Sequence, residues 1–344
     1  MSRYALLLCL LVGCPQPPSC DPPTSVEGDP EPPPPPPPPR PPRVDEPFDL
    51  SGGIRGVIAF GLGHPGQSEE DVIAFVNAVM SQGWTTIQPC AETEFWDDSH
   101  AYPRKPRSAT ELAQFGPPMH VERKQRDESR LDWLLDIMAR VPRLNVTLVV
   151  NCTLKRQVPL EEQRQWARRV AEIAKPYKNV AIYTHNELQN CEGRSDWGGR
   201  KEWCADKEEA RWHVNFFRSQ GFQVTLDDGV CNASDRDSNY QFRFANTGAR
   251  PASFHPCRTD QRGRPWDPDR RFLRRMAEVN GTFLLSETVA WADFSGICTG
   301  LRTCDPLRLE RYIGDCAAVP ECSFTFHCEN CLNGAVPTYI PRAR

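Results

Sequence analysis

The sequence lacks an excess of charge of either sign, since 41 lysines and arginines stand against 45 aspartates and glutamates, for a net charge of −4. General nucleic-acid binders carry a basic excess, so we expect no nucleic-acid partner. A run long enough to cross a bilayer is also missing, because the apolar segment Ala5 to Val12 is too short. Prolines are unevenly spread, with half of the 34 between Pro15 and Pro47. The remainder, Phe48 to Arg344, has a globular composition and can bury one large core.

The amino-terminal residues resemble a bacterial lipoprotein signal peptide, which would span residues 1 to 13. Arg3 precedes the short apolar run, and the run ends in Leu-Val-Gly-Cys, with its cysteine at Cys14. In such signals the cysteine is acylated, so the resemblance implies export and a membrane partner reached through a lipid anchor on Cys14. Because Pro15 rather than an aspartate follows the cysteine, the resemblance implies that the protein is anchored at the outer membrane or the cell surface. An ordinary cleaved secretion signal is the alternative.

A proline-rich linker is predicted for residues 14 to 47. Eight consecutive prolines, Pro32 to Pro39, favour a stiff polyproline II rod of ~3.1 Å per residue. One hypothesis is a stalk that holds the following domain clear of a surface, and the other is an unstructured linker of no particular length. Under both hypotheses the chemistry belongs to residues 48 to 344, the predicted catalytic domain.

Of the 15 cysteines, 12 remain for this domain once Cys9, Cys14 and Cys20 are assigned to the signal, the anchor and the linker. An even number in an exported protein is typical of disulfides. Zinc is the competing interpretation for the last cysteine pair, although a second well-spaced thiol pair with histidine is missing. Connectivity does not follow from spacing, but four pairs lie close in sequence: Cys191 with Cys204, Cys298 with Cys304, Cys316 with Cys322, and Cys328 with Cys331.

Short apolar runs alternate with amphipathic segments from Gly56 onward. Four apolar residues, Val72, Phe75, Val76 and Val79, recur at helical spacing after a serine suited to a helix start. Eight strand-then-helix units predict an α/β protein, a disulfide-stabilised (β/α)8 TIM barrel. The predicted strands begin near Gly56, Thr85, Asn145, Val180, Gln223, Pro251, Thr282 and Ser323.

A doubly wound open sheet is the alternative fold. Such a sheet normally carries a glycine-rich phosphate turn after its first strand, and residues Gly61 to Pro65 lack the third glycine and include a proline. No eighth helix of ordinary length follows His327, so we expect an irregular carboxy-terminal tail held by Cys328 and Cys331.

Chemistry in a parallel barrel lies at the carboxyl ends of the strands, so the residues just past each predicted strand are the site candidates. Polar side chains follow every strand, although a strand end is also an ordinary place for a solvated carboxylate. The candidates are His64, Cys90, Glu92, Asn151, Cys152, His185, Asn186, Glu187, Asp227, Asp228, His255, Glu287, His327 and Glu329.

Three of these residues follow a known pattern. Asn186 and Glu187 come after the fourth strand and Glu287 after the seventh, which resembles the clan A retaining glycoside hydrolases, the "4/7" barrels. The resemblance implies that Glu187 is the acid/base, Glu287 the nucleophile and Asn186 a ligand of the sugar hydroxyl beside the reacting carbon. The sequence departs from the common pattern at Leu188, where many members have proline, and no tryptophan follows the eighth strand.

The chemistry of such a pair explains why two carboxyl groups are needed. Hydrolysis with retention requires them ~5–5.5 Å apart, one protonated and one ionised. Mutual repulsion and partial burial separate their pKa values, so both states coexist at one pH. We therefore expect a glycosidase acting on an extracellular or cell-wall polysaccharide, with neither a cofactor nor a metal required. Further substrate-binding candidates are His64, Asp228, His255 and Trp291.

Two rival functions use the same scaffold. Glu187, Asp228, His255 and Glu287 end four strands, an order similar to the divalent-metal site of xylose-isomerase-like epimerases, and oxygen ligands with one imidazole suit Mn²⁺ or Mg²⁺. That interpretation makes the protein a metal-dependent isomerase or a phosphodiester-cleaving enzyme, although such enzymes act mainly on intracellular substrates. The other rival is a surface lipoprotein that binds glycans without catalysis, because fold alone does not imply function.

Overall fold

A computed structural model gives the three-dimensional structure of the chain. It describes residues 42–43, 46–48, 53–59, 61–64, 66–96, 121–152, 158–185, 207–227, 252–254, 269–288 and 306–327, some of them by their backbone alone. The described strands are β1 (Arg55–Ile58), β2 (Thr86–Gln88), β3 (Thr93–Trp96), β4 (Val121–Gln125), β5 (Asn145–Asn151), β6 (Val180–His185), β7 (Val224–Asp227), β8 (Ala252–Phe254), β9 (Phe283–Thr288) and β10 (Cys322–His327). The described helices are α1 (Glu69–Ser81), α2 (Glu128–Ala139), α3 (Leu160–Ala174), α4 (Lys207–Ser219), α5 (Arg270–Asn280) and α6 (Pro306–Ala317).

Eight parallel strands form a closed ring in the order β1, β2, β5, β6, β7, β8, β9, β10, with β10 pairing back onto β1. Strand order in the ring follows chain order, as in a TIM barrel. Helices follow six of the strands, and the segments after β7 and β10, including the predicted tail, lie outside the described residues. The predicted α/β class is confirmed, and the eight strands lie where the sequence pattern places them.

Three helices begin at residues whose side chains cap them, and the cap of α1 is the serine that the sequence predicts. Ser68 accepts a hydrogen bond from the Asp71 backbone N–H while the Asp71 carboxylate accepts from the Ser68 N–H, a reciprocal capping box. The Asp127 and Asp269 side chains cap α2 and α5 by a single bond, each accepting from the backbone N–H three residues on. All four predicted apolar residues of α1 are buried, which confirms the helical periodicity.

Two apolar clusters fill the structure. The larger cluster packs the outer faces of the strands against the helices and includes Trp166 of α3. The smaller one lies inside the ring, and we call it the lumen cluster: Phe48, Ile54, Ile58, Cys90, Val149, Cys152, Ala181, Tyr183 and Leu284. Alternate residues of β5 enter the two clusters, so this strand is buried on both faces.

The segment before β1 closes the amino ends of the strands. Phe48 enters the lumen cluster, and its backbone N–H donates to the Lys178 carbonyl just before β6. Arg43 donates to Asp136 at 2.8 Å and lies over the Tyr177 ring, 4.6 Å from its centroid. Burial raises the pKa of Tyr177, so its phenol stays protonated and donates to Asp132. We call Arg43, Phe48 and Tyr177 the amino-end closure.

Two disulfides fall within the described residues. Cys316 and Cys322, one of the four pairs that lie close in sequence, join the end of α6 to the start of β10. Cys90 and Cys152, 62 residues apart, join the carboxyl ends of β2 and β5. The second pair was not anticipated, because a long separation carries no pairing signal in one sequence. The remaining cysteines of the domain lie outside the described residues.

An antiparallel hairpin of β3 and β4 follows β2, and the sequence pattern did not predict it. Its second strand reads Val-Glu-Arg-Lys-Gln and therefore carries no apolar alternation. The arginines of α5 at positions 270, 271, 274 and 275 are exposed and form a solvated helix face. In the part of the chain that the structure describes, no helix combines the length and apolarity needed to cross a bilayer.

Candidate active site at the carboxyl ends of the strands

The structure places two of the eight predicted site residues. His64 lies in the turn after β1, and Glu287 lies within β9, of which the backbone is described at that position. The others, together with the rival metal set that shares them, lie outside the described residues: Cys14, Asn186, Glu187, Asp228, His255 and Trp291.

Ring order relates the two strands on which the proposed carboxylates depend. His185 is the last residue of β6, and in the sequence Glu187 follows it by two positions. β6 is the fourth strand of the ring and β9, which contains Glu287, is the seventh, so the two strands are not neighbours. β9 also runs to Thr288 rather than to Leu285, which brings Glu287 inside the strand instead of just past it. This strand pair is the 4/7 arrangement of the sequence pattern.

His64 is held by its own turn. Its Nδ1 accepts a hydrogen bond from the Gly66 N–H at 3.1 Å. Arg130 of α2 donates to the carbonyl oxygens of His64 and Gly63, at 2.7 and 2.8 Å, and lies over the Trp133 ring. The turn after β1 is therefore tied to α2, the helix that follows β2 and the hairpin. A role for His64 in binding sugar stays a prediction.

Glu92, a candidate from its position after β2, serves the structure. The carboxylate is fully buried and accepts from Arg126 at 2.9 Å and from the Cys152 backbone N–H at 3.1 Å. Cys152 is in turn bonded to Cys90. We call these four residues the Glu92 clamp. The clamp joins the ends of β2 and β5 to Arg126, which lies between β4 and α2. Both oxygens of the Glu92 carboxylate already accept hydrogen bonds.

A second polar group lies at the ends of β5 and β6. Asn151 and His185 face each other across the two strands, and both are fully buried. The Asn151 amide nitrogen donates to the Thr184 carbonyl at 3.1 Å and lies 3.4 Å from His185 Nε2. The His185 ring meets His213 of α4 edge to face, with the ring centroids 4.5 Å apart. We call Asn151, His185 and His213 the Asn–His–His chain.

His213 is anchored from behind by a charged pair. Its Nδ1 lies 3.0 Å from the Glu209 carbonyl oxygen, and a carbonyl only accepts, so this nitrogen carries the proton. Burial lowers the pKa of His213, although the Glu209 carbonyl and carboxylate oppose that effect, so the ring is neutral at neutral pH. Arg164 donates to both oxygens of the Glu209 carboxylate, at 2.9 and 3.1 Å.

Gln88, the last residue of β2, was missed by the sequence analysis. It pairs with Ile58 and alternates with Ile87, so its side chain belongs to the lumen face. Gln88 is fully buried, and neither atom of its carboxamide has a hydrogen-bond partner within the described structure. The same holds for the Asn151 side-chain oxygen. A polar residue closing a predicted strand was the only available signal.

Solved structures that are similar to this one include glycoside hydrolases. A family 5 glycoside hydrolase from Bacteroides vulgatus matches with a TM-score of 0.50 at 9% identity, over 84% of this chain and 61% of that one. A modular endo-β-1,4-mannanase of family 26 from Cellulomonas fimi matches with a TM-score of 0.50 at 13% identity, over 85% and 68%. A family 5 mannosidase from Rhizomucor miehei matches at 14% identity and a TM-score of 0.47, over 85% and 87%.

At these identities the likeness shows a shared fold, the TIM barrel of families 5 and 26. The chain spans about three fifths of the length of the first solved structures that it matches. No protein-family model matches the sequence, and no curated protein matches it either.

Proposed function

We propose that the protein is a retaining glycoside hydrolase that cleaves O-glycosidic bonds of a polysaccharide. One observation carries the proposal: the strand that leads into Asn186 and Glu187 and the strand that holds Glu287 are the fourth and seventh of a closed eight-stranded ring. The carboxyl ends of these two strands share one face of the barrel, where barrel enzymes place their chemistry. Glu287 lies in one strand, and Asn186 and Glu187 follow the other in sequence.

Each carboxyl group has a distinct task in the proposed mechanism. Glu187, protonated, donates its proton to the leaving glycosidic oxygen while Glu287, ionised, attacks the anomeric carbon. The C–O bond to the leaving group breaks as the bond to Glu287 forms. Glu187, now ionised, then takes a proton from water, which attacks the same carbon and releases Glu287. Two inversions at one carbon retain its configuration.

The remaining predicted residues have supporting roles in this proposal. Asn186 holds the hydroxyl beside the reacting carbon, and His64, His255 and Asp228 bind the flanking hydroxyl groups. Trp291 offers a ring face for a sugar to stack on. The mannanase and mannosidase among the structural neighbours make β-mannan the first substrate to test.

A complete (β/α)8 barrel, export and a lipid anchor on Cys14 belong to the same proposal. The support for the anchor is the sequence alone, with Arg3, the short apolar run and Cys14 in the order of a lipoprotein signal. Metabolic labelling with a palmitate analogue should mark the wild-type chain and leave Cys14→Ala unmarked. A labelled Cys14→Ala chain would show that the anchor, if any, lies elsewhere.

The decisive experiment compares wild type, Glu187→Gln and Glu287→Gln on a panel that begins with β-mannan. We expect each substitution to lower kcat by at least about 10²-fold, since a positioned acid or base supplies about 10²–10⁴-fold. Glu278→Gln, which removes an exposed carboxylate from α5, is the matched control and should match wild type. NMR of the first product should show the retained anomeric configuration.

Two results would contradict the proposal. Hydrolysis that survives both active-site substitutions would remove the two glutamates from the mechanism. Activity that disappears with a chelator and returns with Mn²⁺ or Mg²⁺ would favour the metal-dependent rival, because a glutamate pair needs no ion.

A further inference from the structure

We infer that the Asn–His–His chain is a positioning device for the acid/base, because it sets the direction in which the main chain leaves β6 towards Asn186 and Glu187. The inference rests on the proposed function and assigns it three residues, one each from β5, β6 and α4. Asn151, His185 and His213 act through the backbone of β6 and are therefore positioning residues.

The device begins on the neighbouring strand. Asn151 ends β5, and its amide nitrogen has two hydrogens, of which one points to the Thr184 carbonyl at 3.1 Å. The other faces His185 Nε2 at 3.4 Å, and because an amide N–H only donates, Nε2 accepts. One side chain of β5 therefore holds both the last peptide of β6 and the ring of its last residue.

The helix after β6 supports the ring from the other side. His213 meets the His185 ring edge to face, and its own Nδ1–H is bound to the Glu209 carbonyl at 3.0 Å. The charged groups on this side are the Glu209 carboxylate and the Arg164 guanidinium, paired with each other, and the Gln163 carbonyl also faces His213. His185 is thus held between Asn151 of β5 and His213 of α4, and His213 is itself fixed through its Nδ1–H.

Position matters at this point of the chain because Glu187 lies two residues beyond His185. Catalytic groups have to be held within about 0.5 Å of the productive geometry, by neighbours locked through packing and hydrogen bonds. Apolar residues would fill the same space without the cost of burying three polar side chains. The polar chain is therefore explained by the alignment that its hydrogen bonds impose.

The test uses pairs of variants that differ in one hydrogen bond. His185→Gln keeps an acceptor where Nε2 stands, whereas His185→Asn and His185→Leu do not. Asn151→Leu removes the donor on β5. Its matched control is Asn179→Leu. Asn179 lies just before β6 begins, is also buried, and donates to the Leu144 backbone carbonyl at 2.9 Å.

We expect Asn151→Leu, His185→Asn and His185→Leu to lower kcat by about ten- to 10²-fold, the cost of a small misplacement, with KM changed less than about twofold. The alkaline limb of the kcat–pH profile, which reports the acid/base, should move in the same variants. His185→Gln should recover most of kcat. Asn179→Leu should lose stability as Asn151→Leu does and keep the wild-type kcat and pH profile.

The outcomes separate the inference from the proposed function. If the wild type hydrolyses its substrate and all His185 variants keep its kcat and pH profile, the positioning role is overturned and the glycosidase stands. If Asn179→Leu loses as much kcat as Asn151→Leu, the effect is one of stability, and the inference is overturned as well. A wild type inactive on the whole panel overturns the function and the inference together. The comparison of His185→Gln with His185→Asn decides the matter even if the leucine variants do not fold.

Discussion

The two ends of the barrel treat buried amides in opposite ways. At the amino end, Asn179 donates to the Leu144 carbonyl at 2.9 Å, and the amino-end closure fills the lumen with Phe48. At the carboxyl end, the Gln88 carboxamide and the Asn151 side-chain oxygen are buried without a hydrogen-bond partner in the described part of the chain. The sequence places both kinds of amide within a few residues of a strand end, so strand position alone does not explain the difference.

The contrast locates the buried polar groups that the fold leaves unpaired. A buried polar group left without a partner costs about 1–3 kcal/mol, so a fold selected for stability alone would pair it or replace it. In barrel enzymes the amino-end face carries stability and the carboxyl-end face carries chemistry. Unpaired amides at the carboxyl end agree with that division, because a ligand or an ordered water can satisfy them.

The largest effect is expected at the amino end. Phe48→Ala empties a buried position in the lumen cluster and should lower the free energy of unfolding by about 3–5 kcal/mol, measured by chemical denaturation. Activity of the folded fraction should stay at the wild-type level, because Phe48 lies at the end opposite the site. A fall in kcat that exceeds the loss of folded protein would break the division between the two ends.

The Glu92 clamp is an exception at the carboxyl end, and Arg126→Met tests it. The substitution leaves the Glu92 carboxylate buried without its cation, so we expect a loss of about 3 kcal/mol in the free energy of unfolding. Adding Glu92→Gln should recover part of that loss, since no buried charge then remains. If Arg126→Met is as stable as wild type, the clamp is not structural, and Glu92 returns to the list of site candidates.

The clamp also separates the features that depend on local sequence from those that depend on contacts between residues distant in the chain. The strands and helix starts were predictable because they depend on local periodicity and on caps such as Ser68. The position of Glu92 after β2 is readable from the sequence, but its buried ion pair is not, because its partner Arg126 stands 34 residues away. Gln88 and His213 were missed for the same reason, since their burial and neighbours are set by tertiary packing.

Gln88→Met should have the next largest effect, and of opposite sign. Methionine has a similar volume and no hydrogen-bonding demand, so removing the unpaired amide should raise the free energy of unfolding by about 1–3 kcal/mol. Asn179→Leu, at the amino end, should instead be destabilising, because it removes a paired amide and orphans the Leu144 carbonyl. If urea denaturation showed that Gln88→Met and Asn179→Leu change the free energy of unfolding in the same direction, the contrast between the two ends would be wrong.

The smallest effect is a pH dependence of stability that comes from His213. Burial lowers its pKa in the folded protein, whereas the unfolded chain keeps the ordinary value of about 6.5. Between these two pKa values the unfolded chain binds a proton that the folded protein does not, so stability falls as the pH falls through that window and is fully present above it.

His213→Phe should flatten this part of the curve while the other histidines continue to titrate. Unfolding free energies measured from pH 8 to pH 5 for both proteins give the difference directly, and parallel curves would mean that the pKa of His213 is the same in the folded and the unfolded chain. In that case burial would not keep the ring beside His185 neutral in acid, and at pH 5 the carboxyl end would hold a buried cation in place of the neutral chain described above.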